Sequence, residues 1–432
     1  MRVKLLTLGC KVNRAESEAL ARLLRLDGHT TDGSGVAEAV VLNTCAVTAA
    51  SVGKSRRLIR RLRREYPAAC LIVMGCWGQL QSADIEALGA DFVLGTQGRA
   101  VVPDCLRRWA SGLPTGPARI LPYGEGAEYE EMASVVESGP VRAMLKIQDG
   151  CDARCAYCVV PVARGPSRSR KPEQVLAEAA ALLAAGTKEI VLTGINIGLY
   201  GREKGAETGW SLGALAGAVA DLPGLLRLRL GSLEPQECTE ELVREMAALP
   251  VFCPHWHIPL QSGADSVLER MGRASRAADY ARVLERLRAV WPEAAITADI
   301  MAGFPGETEE EHRLSRRFVT ECALAGLHVF PFSRRTGTKA AEWPDLPGSV
   351  KEARVRDFLA IGAAGRAAYQ SRFIGKTVKI LLEYVDQAGK SGGHTENYIN
   401  VTLPAGLNPG DWHPGMVVSC VLQREYLAPG YS

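Results

Sequence analysis

The 432-residue sequence lacks any long hydrophobic run. No segment approaches the roughly 18 consecutive apolar residues that a membrane-spanning helix needs, and Glu178 interrupts even the alanine-rich stretch 177–185. The amino-terminal segment carries neither an extended apolar region nor a small-residue cleavage site, so it predicts a first strand and not a signal peptide. These absences predict a cytoplasmic protein that does not cross a membrane.

A disordered or collagen-like composition is also absent, because 47% of the residues are hydrophobic and 23% are charged, as in ordinary globular proteins. The chain is about three times the usual domain length of roughly 150 residues, which predicts two or three domains. It has 12 cysteines. In a cytoplasmic chain these should be reduced thiols, so their spacing indicates metal binding or catalysis before disulfides.

The net charge of +3 is unevenly distributed. Residues 1–115 carry 16 Lys or Arg against 10 Asp or Glu, whereas residues 373–432 carry 4 against 5. Seven basic residues fall on one predicted helix, with Leu58 and Leu62 expected as its buried stripe. They are Lys54, Arg56, Arg57, Arg60, Arg61, Arg63 and Arg64. Such a helix is either a docking surface for a polyanion such as nucleic acid or a solvated face.

Strand and helix patterns alternate over the first 110 residues, which is typical of a doubly wound parallel α/β sheet. The predicted strands are 4–8, 40–43 and 71–74, and the helices are 14–26, the basic helix and 80–88. Gly, Pro and Glu then accumulate with little periodicity. This pattern predicts an N-terminal domain over 1–112 and a linker over 113–140.

A second alternating series contains six strands, which predicts an open, partial (βα)6 barrel over 141–370. The predicted strands are 143–147, 189–193, 225–230, 255–258, 296–300 and 327–330, and the helices between them are 172–185, 212–222, 237–248, 276–290 and 307–324. From about residue 373 the pattern changes to short strands at 377–383, 397–403 and 416–422, with a glycine-rich turn at 389–393. These features predict a small all-β barrel over 371–432.

Three closely spaced cysteines, Cys151, Cys155 and Cys158, follow the first strand of the barrel series. Three thiolates in one loop can hold three irons of a four-iron four-sulfur (4Fe-4S) cluster and leave the fourth iron open to a small chelating ligand. A structural zinc site would require a fourth protein ligand, and neither His nor another Cys is close in sequence. The triad therefore predicts an iron-sulfur site.

The stretch Gly-Cys-Asp-Ala-Arg-Cys-Ala-Tyr-Cys-Val-Val-Pro at 150–161, with Ala-Arg-Gly at 163–165, resembles the radical S-adenosylmethionine (SAM) superfamily. More narrowly, it is similar to the methylthiotransferases. The resemblance implies that the open iron binds the amino and carboxylate groups of SAM. It also implies that an electron from the reduced cluster cleaves SAM to methionine and a 5′-deoxyadenosyl radical.

Three further cysteines, Cys10, Cys45 and Cys76, each follow a predicted strand of the N-terminal sheet. The carboxyl ends of parallel strands meet at one edge, where ligands bind, so these thiols can hold a second cluster. The alternative is that they are ordinary buried cysteines, as we expect for Cys70 within a strand and Cys105 on a helix.

The contexts Leu-Gly-Cys10-Lys-Val-Asn, Asn-Thr-Cys45-Ala and Met-Gly-Cys76 resemble the N-terminal cluster motif of the methylthiotransferases, which implies two 4Fe-4S clusters. Lys-Val-Asn at 11–13, Ser-Arg-Ser-Arg at 167–170 and Leu-Thr-Gly-Ile-Asn at 192–196 resemble the branch that acts on N6-threonylcarbamoyladenosine (t6A) in tRNA. Sister branches act on isopentenyladenosine in tRNA or on an aspartate of a ribosomal protein.

Further motifs match this family in order: Ser-Leu-Glu-Pro at 232–235, His-Ile-Pro-Leu-Gln-Ser-Gly at 257–263 and Asp-Ile-Met-Ala-Gly-Phe-Pro-Gly-Glu-Thr at 299–308. The resemblance implies SAM contacts at strand ends. The candidates are Thr193, Gly194, Ser232, Glu234, Gln261 and Ser262. We expect His255 and His257 to be strand-lining or hydrogen-bonded histidines, because no carboxylate or thiol accompanies them at a metal-ligand spacing.

The C-terminal segment resembles a TRAM domain, a small RNA-binding module. Because its local charge is slightly negative, RNA contacts there should be polar, aromatic or shape-based, through residues such as Lys376, Asn397 or Tyr398. The resemblance implies methylthiolation at C2 of t6A at position 37 of tRNA, with the anticodon stem-loop and an electron donor such as flavodoxin or ferredoxin as partners. The alternatives are the sister substrates, or a non-catalytic iron-sulfur RNA-binding redox sensor, which would release no 5′-deoxyadenosine from SAM.

Overall fold

The computed structural model describes residues 1–31, 35–115, 119–123, 128–132, 139–202, 209–408 and 410–428. Parts of the predicted linker, at 116–118, 124–127 and 133–138, lie outside the described residues. Within the described ranges, no helix is both long enough and apolar enough to cross a bilayer.

The N-terminal sheet has four parallel strands in chain order. The strands are β1 (Val3–Thr7), β2 (Ala39–Thr44), β3 (Cys70–Gly75) and β4 (Phe92–Val93). The helices are α1 (Lys11–Leu26), α2 (Ala49–Glu65), α3 (Cys76–Leu80), α4 (Ser82–Glu86) and α5 (Val102–Ala110). Strands β2 and β3 are buried throughout, as expected of parallel strands covered on both sides.

Helices pack on both faces of this sheet. Ile59 of α2 lies in the core of one face, while Leu20 of α1 and Leu106 of α5 lie in the core of the other. The predicted doubly wound α/β arrangement is therefore confirmed. Three details differ. Strand β4 was not predicted, and the helix predicted at 80–88 is divided between α3 and α4. The central apolar residue of α2 is Ile59, with Leu58 only half-buried.

The middle of the chain forms six parallel barrel strands. They are β5 (Arg142–Lys146), β8 (Glu189–Thr193), β9 (Arg227–Leu230), β10 (His255–His257), β11 (Ala295–Ala302) and β12 (Gly326–Pro331). Hydrogen bonds order them as β5-β8-β9 and β10-β11-β12, and parallel bridges such as that between Ser232 and His257 join the two sets. Between β5 and β8, the short strands β6 (Gln148–Asp149) and β7 (Arg168–Ser169) form an antiparallel pair. The six predicted strands and the open barrel are confirmed.

Helices surround these strands. They are α6 (Val160–Arg164), α7 (Pro172–Ala184), α8 (Leu212–Ala220), α9 (Glu240–Ala247), α10 (Asp265–Arg270), α11 (Ala277–Val290), α12 (Glu309–Glu321) and α13 (Gly348–Ser371). The local sequence determines where several of these helices begin. Pro172 is the first residue of α7, and Thr308 forms a capping box with Glu311 at the start of α12. The 24-residue α13 packs against β11 and β12 and was not predicted.

The C-terminal sheet is antiparallel, with order β15-β14-β13-β16. Its strands are β13 (Thr377–Val385), β14 (Ser391–Thr395), β15 (Asn400–Leu403) and β16 (Val417–Val421). The glycine-rich turn predicted at 389–393 is wrong in part, because Gly392 and Gly393 belong to β14. A Cβ on Gly393 would lie 1.8 Å from the carbonyl oxygen of Leu381, so glycine is needed where β13 and β14 approach closely.

Two arginines of the barrel form hydrogen bonds to the C-terminal sheet. Arg227 of β9 donates hydrogen bonds to the carbonyls of His394 (2.6 Å) and Lys379 (3.0 Å). Arg229 donates to the carbonyls of Glu396 (2.7 Å) and Thr395 (2.9 Å). The C-terminal sheet is thereby held against the barrel interior.

Candidate active site

The triad loop leaves the barrel after β5 and returns through α6. The Cys151 N–H donates to the Gly165 carbonyl (3.1 Å), and the Cys158 N–H donates to the Cys155 carbonyl (3.0 Å), which folds the loop on itself. Burial foremost, with contributions from the neighbouring thiols Cys155 and Cys151, raises the pKa of Cys158 to about 12. All three thiols line one cavity, and none is in a disulfide.

The second set of thiols gathers at the edge of the N-terminal sheet. Cys10 follows β1, Cys45 follows β2 and Cys76 begins α3 directly after β3. A Cβ on Gly9 would lie 3.0 Å from the Cβ of Cys45, so the β1 and β2 loops touch here. Burial raises the pKa of Cys76 to about 12, with contributions from nearby Cys45 and Cys10. The structure thus brings together the three thiols that strand-end position had grouped.

Two other cysteines of this domain lie elsewhere. Cys70, at the start of β3, and Cys105, on α5, are buried in the hydrophobic core on the α1 and α5 face of the sheet. Burial raises the pKa of Cys70 to about 12. Their position agrees with the expectation of inert core residues.

One cavity of about 990 Å³ reaches both thiol sets. Cys10 of the N-terminal set lines it, and so do Cys151, Cys155 and Cys158 of the triad. Cys45 and Cys76 are buried and do not line it. A ligand in this cavity can therefore face the triad and Cys10 together.

Five of the six SAM candidates line this cavity. They are Thr193, Gly194, Ser232, Glu234 and Gln261. Ser262 is buried, and its hydroxyl accepts a hydrogen bond from the Ala264 N–H (3.2 Å), so its side chain is used within its own loop.

Gln261 has two unusual features. Its φ is +69°, a conformation that non-glycine residues rarely adopt, and its buried Oε1 has no hydrogen-bond partner among the described residues. Strained backbone and an unsatisfied buried acceptor at a cavity wall are typical of a ligand-binding position. Sequence reasoning identified this residue but missed Arg273, which also lines the cavity and donates to Glu234 Oε1 (2.9 Å).

His257 has closer neighbours than its sequence context suggested. Its Nδ1 lies 2.9 Å from Thr297 Oγ1, in agreement with a hydrogen-bonded histidine. However, Asp299 Oδ1 lies 3.4 Å from His257 Nε2 and 3.1 Å from His328 Nδ1. The expectation that no carboxylate accompanies His257 was therefore wrong. It considered spacing along the sequence, whereas Asp299 and His328 come from the neighbouring strands β11 and β12.

A buried polar network, which sequence reasoning also missed, connects the two thiol sets. Asn13 Oδ1 is 3.3 Å from Cys10 Sγ and accepts a hydrogen bond from Arg164 Nη2 (3.0 Å). Asn13 Nδ2 donates to the carbonyl of Thr44 (3.0 Å), next to Cys45. Asn13, beside the N-terminal thiols, is thus hydrogen-bonded directly to Arg164 of the helix that closes the triad loop.

Glu16 of α1 is the anionic centre of this network. It lies 2.6 Å from Arg99 Nη1, 2.8 Å from Lys146 Nζ and 2.8 Å from Arg164 Nη1. Although burial alone would raise the pKa of Glu16, these cations, Arg164 foremost, hold it well below its usual range. Glu16 therefore stays ionised and joins the N-terminal sheet to the barrel.

We expect Glu16→Gln to lower the free energy of unfolding by about 3 kcal/mol, since it leaves buried cations without their shared carboxylate. The matched control is Glu18→Gln on the same helix, where Glu18 forms a surface pair with Arg14 (2.8 Å) and the expected loss is below about 0.5 kcal/mol. Urea denaturation of anaerobically purified protein measures both. Equal losses in the two variants would contradict the role given to Glu16.

Comparison with known proteins agrees with this geometry. Residues 145–319 match the Radical SAM superfamily model, and residues 2–95 match the model of uncharacterized protein family UPF0004. The Bacillus subtilis threonylcarbamoyladenosine tRNA methylthiotransferase MtaB is 37% identical over 92% of this chain and 89% of its own length. The Thermotoga maritima protein of the same name is 33% identical over 96% of this chain and 94% of its own.

The chain belongs to the radical SAM methylthiotransferase family. A relative with a different printed substrate, the Rhodopirellula baltica tRNA-2-methylthio-N(6)-dimethylallyladenosine synthase, is 33% identical over 87% of this chain and 82% of its own. Among solved structures, the Kitasatospora setae radical SAM methyltransferase TsrM superposes with a TM-score of 0.57 at 18% identity, covering 79% of this chain and 74% of that one. This last likeness concerns the fold.

Family membership implies a 4Fe-4S cluster and SAM, and the triad fits that cluster. The thiols are free, and the Ala153 N–H points at Cys151 Sγ (3.4 Å). In the N-terminal set, the Val47 N–H points in the same way at Cys45 Sγ (3.5 Å). Hydrogen bonds from backbone N–H groups to ligand sulfurs are a means by which proteins tune such clusters.

Proposed function

We propose that this methylthiotransferase adds a methylthio group to C2 of t6A at position 37 of tRNA, next to the anticodon. The observation that carries the proposal is the cavity lined both by Cys10 of the N-terminal set and by all three cysteines of the triad. The names of relatives that match nearly the full chain support t6A as the substrate. C2 of an adenine has no acidic proton for ordinary base catalysis, so a radical route suits it.

In this proposal Cys151, Cys155 and Cys158 hold the cluster that binds SAM, and Cys10, Cys45 and Cys76 hold a second 4Fe-4S cluster. When bound, these groups supply radical initiation on the triad side and a sulfur source on the other. The protein keeps the two functions apart by placing the thiol sets on different sheets, and keeps them aligned through the Asn13–Arg164 hydrogen bond.

The residues at the barrel strand ends orient SAM. The buried Oε1 of Gln261 can accept a hydrogen bond from the adenine amino group, which gives this orphaned acceptor a partner. Thr193 and Gly194 offer backbone groups at the end of β8, and Ser232 and Glu234 complete the wall. Ser262 supports the Gln261 loop through its bond to Ala264.

We assign the domains as 1–112, a linker over 113–140, a radical SAM core over 141–370 and a TRAM-like RNA-binding domain over 371–432. The C-terminal sheet does more than bind RNA in this proposal, because Tyr398 lines the cavity from the β14–β15 turn. A flavodoxin- or ferredoxin-like protein would supply electrons, and the tRNA substrate places the enzyme in the cytoplasm.

The basic helix α2 is the proposed tRNA contact outside the cavity. Its N-cap residue, Thr48, lines the cavity, and the basic residues follow along the helix. Arg63 serves the fold, since it donates to the Ala69 carbonyl (2.8 Å) and pairs with Asp91. The exposed basic positions are Lys54, Arg57, Arg60, Arg61 and Arg64.

Changing Arg57, Arg60 and Arg64 to Glu should weaken tRNA binding and flatten its salt dependence. Each lost phosphate contact lowers the slope of log K against log salt by a little under about one unit. Filter binding at several salt concentrations measures this slope. Arg317→Glu on α12, an exposed arginine paired with Glu321, is the control and should change neither quantity. An unchanged slope in the triple variant would identify α2 as a solvated face.

Mass spectrometry of tRNA nucleosides from a deletion strain tests the proposed function. We expect loss of 2-methylthio-t6A, restored by the intact gene. Loss of the 2-methylthio form of isopentenyladenosine instead would assign the sister substrate, and a ribosomal-protein substrate would leave both nucleosides intact. Incubating reduced protein with SAM separates the sensor alternative, because a sensor releases no 5′-deoxyadenosine.

A further inference from the structure

Four further residues line the cavity, Lys11, Arg142, His255 and Tyr398, none of which is a SAM candidate, and we call the part that they line the inner end. Arg142 is the first residue of β5 and Lys146 the last, so Arg142 lies about 13 Å along the strand from the end that carries the triad. His255 is likewise the first residue of β10. This end of the cavity is therefore separate from the mouth where SAM is proposed to bind.

Positive charge at the inner end is only partly neutralised. Among the described residues, Lys11 has no carboxylate within ion-pair distance and no side-chain hydrogen bond. Arg142 is ion-paired with Glu383 at 3.7 Å, but its Nη1 is shielded from solvent and has no hydrogen-bond partner. Shielded cations in proteins are normally fully paired and hydrogen-bonded, so an unpaired lysine and an arginine with an unused N–H facing one cavity indicate an anionic ligand.

Several other charges of the cavity wall already have partners. Arg273 is paired with Glu234, and Arg14 is paired with Glu18. Asp299 is held between His257 and His328. Arg366 of α13 also lines the cavity and has no ion-pair partner among the described residues. Among the lysines and arginines that line the cavity, however, Lys11 and Arg142 are the two that act together on His255, whose pKa is held well below its usual range by burial foremost.

The surroundings of Arg142 hold it against the Tyr398 ring. The Arg142 guanidinium lies 5.3 Å from the centre of the Tyr398 ring, and Arg229 of β9 lies 4.9 Å from it. His394 stacks on the same ring at 4.7 Å. Tyr398 holds a φ of +67°, a strained backbone conformation that places the ring here. Residues of the barrel and of the C-terminal sheet therefore build the wall around Arg142 together.

The chemistry of the proposed substrate supplies an anion of the right kind. On adenine, C2 and the N6 substituent lie on either side of N1, so a base whose C2 faces the thiol sets directs its N6 group along another wall of the cavity. In t6A that group ends in the threonine carboxylate. The isopentenyl group is uncharged and would offer neither cation an anionic partner.

We propose that Lys11 and Arg142 form a carboxylate-binding site that holds the threonine carboxylate of t6A and selects this substrate over nucleosides with apolar N6 groups. The proposal rests on the proposed function. SAM does not account for this site, because its own carboxylate is expected at the triad iron, at the opposite end of β5. RNA phosphates do not account for it either, since they lie outside the base-binding cavity.

The test compares two synthetic anticodon stem-loops, one with t6A37 and one in which the threonine carboxylate is replaced by a neutral carboxamide. Charge-assisted hydrogen bonds predict that the reconstituted holoenzyme binds the t6A RNA about tenfold more tightly. Lys11→Met and Arg142→Met should each remove most of that preference and bind the carboxamide RNA nearly as well as the unaltered enzyme does. Arg14→Met, which removes a paired cation from the same cavity, should keep the preference.

Equal weakening of both RNAs in the Lys11 and Arg142 variants, or an unchanged preference, would overturn the carboxylate site. Because Lys11 adjoins Cys10, iron content is measured first, and Arg142→Met alone decides the matter if Lys11→Met loses iron. A different result would contradict the proposed function itself: methylthiolation of an isopentenyladenosine stem-loop, but not of the t6A stem-loop, by the unaltered enzyme. If it methylthiolates t6A but binds the two RNAs equally, the function stands and the carboxylate site is wrong.

Discussion

Replacing Cys151, Cys155 and Cys158 together with alanine is expected to abolish 5′-deoxyadenosine formation from SAM and, with it, all methylthiolation. The three thiols share one short loop that closes through the Cys151–Gly165 hydrogen bond, so no other cysteine of the described chain is placed to substitute for them. Iron should fall from roughly eight to roughly four atoms per chain, because the other three thiols belong to a different sheet. Iron analysis and chromatography of the SAM products measure both effects.

Folding must be shown to survive this change. The triad thiols are only partly buried, and the barrel core lies in a separate cluster of residues that includes Leu145, Leu192 and Ile300. We therefore expect the variant to purify with an unaltered circular dichroism spectrum and to retain tRNA binding. Persistent SAM cleavage in the triple variant would refute the assignment of the triad, and complete loss of iron would refute the independence of the two sets.

Much of the fold could be predicted because buried parallel strands leave a strong sequence signal. Three strands of the N-terminal sheet and all six main strands of the barrel are short apolar runs that recur between helical patterns, and these were found to within a few residues, whereas the two-residue strand β4 was not predicted. Helix α13 was missed because its buried side is interrupted by small residues: Gly362 and Gly365 pack against Leu327 and Leu324, where a larger side chain would collide. Strand β14 was missed because glycine there signals a turn locally, although tertiary packing requires it within the strand.

The site was predictable only where residue type itself carries the chemistry. Cysteine spacing and strand-end position were enough to group six thiols. Glu16 and Asn13 gave no such signal, because a polar residue on an amphipathic helix usually faces solvent, whereas here the barrel covers it. Likewise, Lys11 and Arg142 are 131 positions apart in sequence, and only the packing of α1 on β5 brings both to one cavity.

The second large effect concerns the N-terminal thiols. Cys45→Ala and Cys76→Ala are expected to remove methylthiolation completely while 5′-deoxyadenosine formation continues. Both residues are buried at the sheet edge and remote from the triad loop in sequence, so their loss removes the proposed sulfur source and leaves the SAM wall at Thr193 and Gln261 intact. A substrate radical would then form, but no sulfur atom would be available to bond to it. Nucleoside mass spectrometry and quantification of 5′-deoxyadenosine in the same reactions measure the two outputs.

Matched controls come from the same domain. Cys70→Ala and Cys105→Ala also remove buried thiols, but these lie in the core on the α1 and α5 face and not at the sheet edge. Each should cost about 1 kcal/mol of stability and leave iron content and methylthiolation unchanged. The comparison separates loss of a ligand from loss of packing, because the pKa of Cys70 and that of Cys76 are both raised to about 12 by burial while only Cys76 lies beside Cys45 and Cys10. Full methylthiolation by Cys45→Ala, or loss of iron in Cys70→Ala, would show that strand-end position does not identify the ligands.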